Sequence, residues 1–449
     1  MKEWERVNEG LLSRATRSID NNSGYQLKLE GTMKKGTSWA LGLAMVFMMT
    51  FVVGLTASAE AVPPIKVGEV SGWDYAGGQG VKRGVQMAIR DINAAGGLLG
   101  RQVEGVFYDN RGDVEEAKKA TERLLYKDKV EAIFGFWRSD LAIVCQPLIM
   151  EAKKIMFIGG ASAPVLTYER IAKDYKTYKY TFATQPNATY LFKLFEQPII
   201  IAREKLGLNK LAIVGEKAAS YDPVHDYLVK KYADILINQS RFTPDAIDFT
   251  VEFSNAKAAG ANLLFVYTTG KAGTAMVKQW HDMQLPMLKI GYNVDAQDPN
   301  FWKMTEGKCD GVQTDIVGAS RSLPITEKSV PWYESYKKMF GEPPIVYNNP
   351  LSYDSVMAWA EGVKLAGTAD PDAVVKALES DKFRYVGVTA AIDRFDKIHN
   401  PAGSGWTEGE AWGFAVTQWQ NGKMEVVYPE KVKTADMIIP ARVKKLIGR

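Results

Sequence analysis

Two cysteines, Cys145 and Cys309, and three histidines, His225, His281 and His399, are all the thiol and imidazole side chains in this 449-residue sequence. Two thiols so far apart make neither a disulfide framework nor a zinc site, and the histidines have no ligand spacing, so a metal centre is not expected. No Ser/His/Asp or Cys/His arrangement sits in a supporting local motif, which argues against an enzyme. Charge of one sign is also scarce. The formal net charge is +4 with basic residues dispersed, so a nucleic-acid footprint is missing. Long repeats and low-complexity tracts are absent as well. Gly78-Gln-Gly80 and Gly84 imitate a dinucleotide loop at the wrong spacing, and Gly270-Lys271 lacks the glycine five residues earlier that a phosphate loop requires. No cofactor is expected.

One long apolar run is present, from Trp39 to Leu55. It follows Lys34-Lys35 and precedes Ala57-Ser58-Ala59, the three parts of a secretory signal peptide in order, over residues 33–59. A membrane anchor is the alternative, but the run is at the short end for spanning and ends in an Ala-x-Ala site. No cysteine near that site supports a lipid anchor. Residues 1–32 are polar and unpatterned, and read as a disordered extension or a misassigned start upstream of Met33. The mature chain would begin at Glu60 and be periplasmic. Export would permit a Cys145–Cys309 bridge, and two free thiols are equally compatible with the sequence.

What remains after cleavage is longer than one hydrophobic core usually organises, which points to two lobes. With 46% hydrophobic and 24% charged residues, the composition is that of an ordinary soluble globular protein. Ile65 to Val70 reads as a strand, and Val85, Ala88, Ile89 and Ile92 fall at helical spacing. Asn93 to Gly97 then stop the helix, and Gln102 to Tyr108 is the next strand, completing a βαβ unit. Strand-length apolar runs follow at Ala132–Phe136, Ile155–Ile158, Lys210–Val214, Leu263–Tyr267 and Leu288–Tyr292. Helical patterns alternate with them at Val114–Leu125, Leu141–Ala152, Tyr190–Lys205, Val224–Ile237 and Gly273–Met283. The fold class is therefore α/β, each lobe a mostly parallel sheet flanked by helices. Two further helices, Val330–Phe340 and Asn349–Ala366, precede a hairpin made by Ala411–Gln420 and Lys423–Tyr428.

The stretch Ala88-Ile-Arg-Asp-Ile-Asn-Ala-Ala-Gly-Gly-Leu-Leu-Gly-Arg101, leading to Tyr108-Asp109, resembles the opening of type I periplasmic solute-binding proteins. These are the branched-chain amino acid receptor (Leu/Ile/Val-binding) family of ABC importers. Tyr353 to Glu361 is similar to a family helix of the first lobe, and the resemblance runs on to Gln418-Trp-Gln-Asn-Gly-Lys423. It implies a two-lobed fold with three crossings, placed near Ala183 to Pro186, Asp315 to Ala319 and Phe395 to Gly405. Lobe 1 would be 64–185 plus 318–400, and lobe 2 would be 186–317 plus 401–449. The implied function is capture of a small amino acid or related carboxylate in the cleft by a monomer. A membrane permease with cytoplasmic ATPases would be the partner. A periplasmic sensing module, or an enzyme on the same fold, would share the architecture.

Ligands of open α/β sheets bind beyond the carboxyl ends of the strands, and the candidate residues follow that rule. Arg138 in Gly135-Phe-Trp-Arg-Ser-Asp140 lies between a strand and a helix, where it and Ser139 can hold an anion, or else make a rim salt bridge and a helix cap. An arginine here departs from the family's hydroxyls and backbone amides and counts against a simple branched-chain ligand. Trp137 is a candidate aromatic wall or a packing residue. Gly160, Ala161 and Ser162 form a small-residue loop whose amides could approach a ligand. Across the cleft, Tyr221 resembles the family tyrosine that closes over ligand. Thr268 offers a hydroxyl, and Asp295 is the candidate partner for an ammonium group, or a solvent-exposed loop acid.

Overall fold

A computed structural model describes residues 62–184, 188–269, 272–399, 401–402 and 414–448. The expected signal segment 33–59 and residues 1–32 lie outside the described residues, as do parts of the first and third inferred crossings.

The first sheet is formed by β1 (Ile65–Ser71), β2 (Val103–Asp109), β3 (Ala132–Gly135), β4 (Ile155–Ile158) and β5 (Thr181–Ala183), in the order β2-β1-β3-β4-β5, all parallel. The second contains β6 (Leu211–Glu216), β7 (Leu236–Phe242), β8 (Leu263–Thr268) and β9 (Leu288–Asn293), in the order β7-β6-β8-β9, again parallel. A third, antiparallel sheet joins β10 (Gln313–Val317) to β11 (Phe414–Gln420) and β12 (Lys423–Tyr428). Strands β3, β4, β6, β8 and β9 are buried along their length, which is why they read as largely apolar runs.

The flanking helices are α1 (Ala76–Ala94), α2 (Val114–Glu122), α3 (Ser139–Glu151), α4 (Ala188–Glu204), α5 (Asp222–Lys231), α6 (Thr250–Ala258) and α7 (Ala272–Asp282), followed by α8 (Ser329–Phe340), α9 (Asn348–Ala366) and α10 (Pro371–Leu378). Helix α1 packs tightly on α9, and its glycines make that possible. A Cβ on Gly84 would lie 2.4 Å from the Asn349 carbonyl oxygen, and one on Gly80 would lie 3.0 Å from the Asn348 Cβ. Of the glycines that imitate a dinucleotide loop, Gly80 and Gly84 are thus surfaces for helix contact, while Gly78 packs on the Gly72 backbone. Two lobes result, each a parallel sheet with helices on its faces.

The helix expected over Val224–Ile237 ends at Lys231, and Leu236–Phe242 is instead the edge strand β7. Its Asn-Gln-Ser-Arg centre is only half buried, so it lacks the apolar run that marks the central strands. The helix expected to Leu125 is regular only to Glu122 and continues as a π turn over Arg123–Asp128. Both cysteines are buried free thiols.

Candidate ligand-binding cleft

At the carboxyl ends of the strands the chain makes sharp, stitched turns. Phe136, directly after β3, holds φ at +61°, a left-handed conformation unusual for a bulky residue that re-aims the chain toward Trp137 and Arg138. The loop after β4 is tied to this turn: Gly159 donates to the Gly135 carbonyl at 2.7 Å, and Ala161 to the Phe136 carbonyl at 3.0 Å. The Ala163 amide donates to the Ser139 hydroxyl oxygen at 3.2 Å. The Ala161 amide, expected to face a ligand, is therefore spent within the protein. Gly160 is small because Asn348 packs on it, its Nδ2 lying 2.1 Å from where a Cβ would be. The Ser162 hydroxyl remains the polar side-chain group this loop offers.

A cavity of about 270 Å³ lies between these loops and those of the second sheet. Trp137, Arg138, Ser139, Asp140, Gly160, Ala161 and Ser162 form one wall, and Glu216 to Tyr221, with Val224, Pro244 and Thr269, face it. Phe195, Tyr292, Tyr347 and Phe414 complete the lining. Seven of the nine residues singled out in the sequence thus share one cavity.

The other two do not line it. Thr268 is fully buried and its hydroxyl donates to Glu216 at 2.7 Å, so its neighbour Thr269 is the threonine at the cavity. Asp295 accepts from the Thr274 amide at 2.9 Å and hydroxyl at 3.0 Å, near the start of α7. Burial raises its carboxyl above the usual range, against those bonds. It lines a separate cavity of about 240 Å³ with Asp74, Tyr75, Gly77 and Thr269. It is therefore not an exposed loop acid and does not line the main cavity; its carboxylate is bonded at the start of α7.

The acid at the main cavity is Glu216, at the end of β6. It is buried and accepts from the Thr268 hydroxyl, the Thr269 amide at 2.9 Å and the Thr269 hydroxyl at 3.4 Å. Opposite stands Arg138, whose Nε donates to Asp140 at 3.0 Å while a second nitrogen bonds the other Asp140 oxygen and a third reaches the Gly112 carbonyl at 3.3 Å. The guanidinium also lies 5.4 Å from the Trp137 ring. Neither Ser139 nor Asp140 caps α3 with its side chain: the N-cap position is Arg138 itself.

Three tyrosines line the cavity, Tyr221, Tyr292 and Tyr347, with the last two rings 6.0 Å apart. Burial pushes all three well up or upward, so they are neutral donors. The Tyr221 hydroxyl and the Trp137 Nε1 are buried without a hydrogen-bond partner among the described residues. Phe195, Tyr347 and Phe414 were not legible as cavity residues, since they come from a helix, a helix N-cap and a distant sheet.

The sequence profile of the periplasmic binding protein family matches residues 65–421, and the chain belongs to that family, as a type I member of the branched-chain amino acid group. It is similar to Leu/Ile/Val-binding protein homolog 7 of Brucella suis, 24% identical over 411 residues that cover 86% of this chain and 96% of that one. The branched-chain amino acid substrate-binding protein LivJ from Streptococcus pneumoniae, solved with isoleucine, superposes with a TM-score of 0.67 at 23% identity, over 82% of this chain and all of that one. An R. palustris solute-binding protein solved with benzoate gives 0.67 at 16% identity, over 83% and 98%. No helix among the described residues is long and apolar enough to cross a membrane.

Proposed function

We propose that this chain is the periplasmic capture component of an ABC importer, closing its two lobes on one small carboxylate-bearing solute and presenting the closed form to a permease with cytoplasmic ATPases. The carrying observation is the single cavity with a cationic and hydroxyl-bearing wall, Arg138, Ser139 and Ser162, opposed by the buried Glu216. A ligand carboxylate suits the first wall, beside the amino end of α3, and an ammonium group, where the ligand has one, suits Glu216. A cavity of about 270 Å³ admits one amino acid or similar small acid.

The isoleucine and benzoate bound by the two structural neighbours both carry a carboxylate, which supports the reading. Walls drawn from both lobes imply that ligand binds the closed state better and shifts the population toward it. The test is a thermal-shift screen of the mature chain, residues 60–449, against amino acids and small organic acids. A true ligand at 100 times its Kd should add about 2.7 kcal/mol of stability. No stabilisation by any of them would contradict the proposal.

A further inference from the structure

The carboxylate reading leaves the rest of the ligand undefined, and the walls of the same cavity bear on it. Its large apolar side chains are aromatic: Trp137, Phe195, Tyr221, Tyr292, Tyr347 and Phe414. Among the described residues, its aliphatic lining is confined to alanines, Val224 and Pro244, with no leucine, isoleucine or methionine. We infer that the cleft selects an aromatic carboxylate carrying a hydrogen-bonding substituent on the ring, in preference to an aliphatic amino acid. This rests on the proposed capture of a carboxylate and narrows it.

Three observations carry the inference. First, ring-on-ring contacts favour an aromatic ligand by about two- to tenfold per well-placed pair beyond the area they bury, and this lining offers several such partners. Second, the Tyr221 hydroxyl and the Trp137 Nε1 are buried donors with no partner among the described residues, although the Tyr221 hydroxyl lies near Thr269. An isobutyl or isopropyl group leaves such donors unpaired. A phenolic or carbonyl oxygen on a ring accepts from them, and sites built to bond a substrate oxygen discriminate strongly against analogues without it. Third, a cavity of about 270 Å³ is large enough to admit an aromatic ring with its carboxylate and a ring substituent.

Charge limits the ligand further. Glu216 is buried and already surrounded by donors from Thr268 and Thr269, so it repels a second carboxylate and excludes aromatic diacids. An aromatic amino acid, whose ammonium would meet Glu216, and a plain aryl acid share the recognised chemistry of ring plus single carboxylate, and titration separates them.

Calorimetric titration of the mature chain would use benzoate, 4-hydroxybenzoate, 4-hydroxyphenylacetate, phenylalanine and tyrosine as the aromatic arm. Leucine, isoleucine, valine and alanine make the aliphatic arm. The expected result is at least one aromatic acid binding tenfold or more tightly than every aliphatic amino acid, with the hydroxylated member of a pair ahead of the unsubstituted one. Tyr221→Phe should remove most of that hydroxyl preference, read as the ratio of the two affinities within the variant, and Trp137→Phe provides the same comparison at the other donor. An aliphatic amino acid as the tightest ligand would overturn the inference and leave the carboxylate capture standing. Failure of every carboxylate to bind would overturn both.

Discussion

The Arg138 guanidinium is gripped by Asp140, two residues further along, with two nitrogens on the two carboxylate oxygens. Their side chains are 27% and 46% exposed at the cleft, so the pair is partly solvated and open to exchange of partners. A ligand carboxylate arriving here meets a cation that is already half neutralised. Arg138→Ala should therefore weaken binding at least tenfold, about 1.4 kcal/mol, because it removes the cation and leaves the Asp140 charge facing the ligand. Asp140→Asn should strengthen binding by freeing the guanidinium. Titration calorimetry on both variants checks this, and unchanged affinity in both would reduce the pair to a structural bridge.

Tyr221 stands at the start of α5 on the wall opposite Trp137 and Arg138. Replacing it with alanine should raise the ligand dissociation rate more than it lowers the association rate, since that wall is engaged only after the lobes close. Stopped-flow fluorescence separates the two rates. A change confined to association would remove Tyr221 from the closing wall.

Glu69, in the middle of β1, is fully buried with both carboxyl oxygens unpartnered among the described residues. Burial pushes it up to about 8 from its ordinary 4.5, opposed by Ser71, Trp73 and the charge of Lys82. Between those two values the folded chain keeps a proton that the unfolded chain has lost, so this group makes stability fall as pH rises, by up to about 1.4 kcal/mol per unit. Denaturant titrations of Glu69→Gln across pH 5 to 8 should lose that downward slope and show a more stable protein at the alkaline end. Parallel profiles for the two proteins would contradict the assignment.

Lys289 gives the mirror case at the start of β9, where its buried Nζ has no hydrogen-bond partner among the described residues. Burial lowers it from 10.5 to about 7. From about 7 to 10.5 the unfolded chain binds the extra proton, so this group makes stability rise with pH, and Lys289→Met should flatten that rise while stabilising the protein at pH 7. The midpoint of chemical unfolding reads this directly. A methionine variant that is less stable at pH 7 would mean that the amine has a partner.

Periodicity and turn chemistry made the first βαβ unit legible, because Val85, Ala88 and Ile92 form a buried face of α1 and the glycines after it end the helix. The loops beyond β3, β4 and β6 were legible for the same reason, since a strand ending before a helix marks a ligand-facing edge. Within those loops the sequence does not say which side chain faces the cavity. Thr268 and Thr269 differ by one position, yet only the second lines it, because Thr268 is the last residue of the strand and is fully buried. Asp295 looked available for an ammonium group, but Thr274 satisfies it locally, and such short-range competition leaves no periodic signal. Tyr347 and Phe414 reach the cavity through tertiary packing from far along the chain, where no local pattern announces them.

The central claim is that one small acid is held between walls from both lobes. Small-angle X-ray scattering of the mature chain, with and without a ligand verified by calorimetry and present at saturation, tests it most directly. The account predicts a smaller radius of gyration in the bound state, as the wall bearing Glu216 and Tyr221 draws toward the one bearing Arg138 and Ser162. Superimposable curves with the site fully occupied would contradict it.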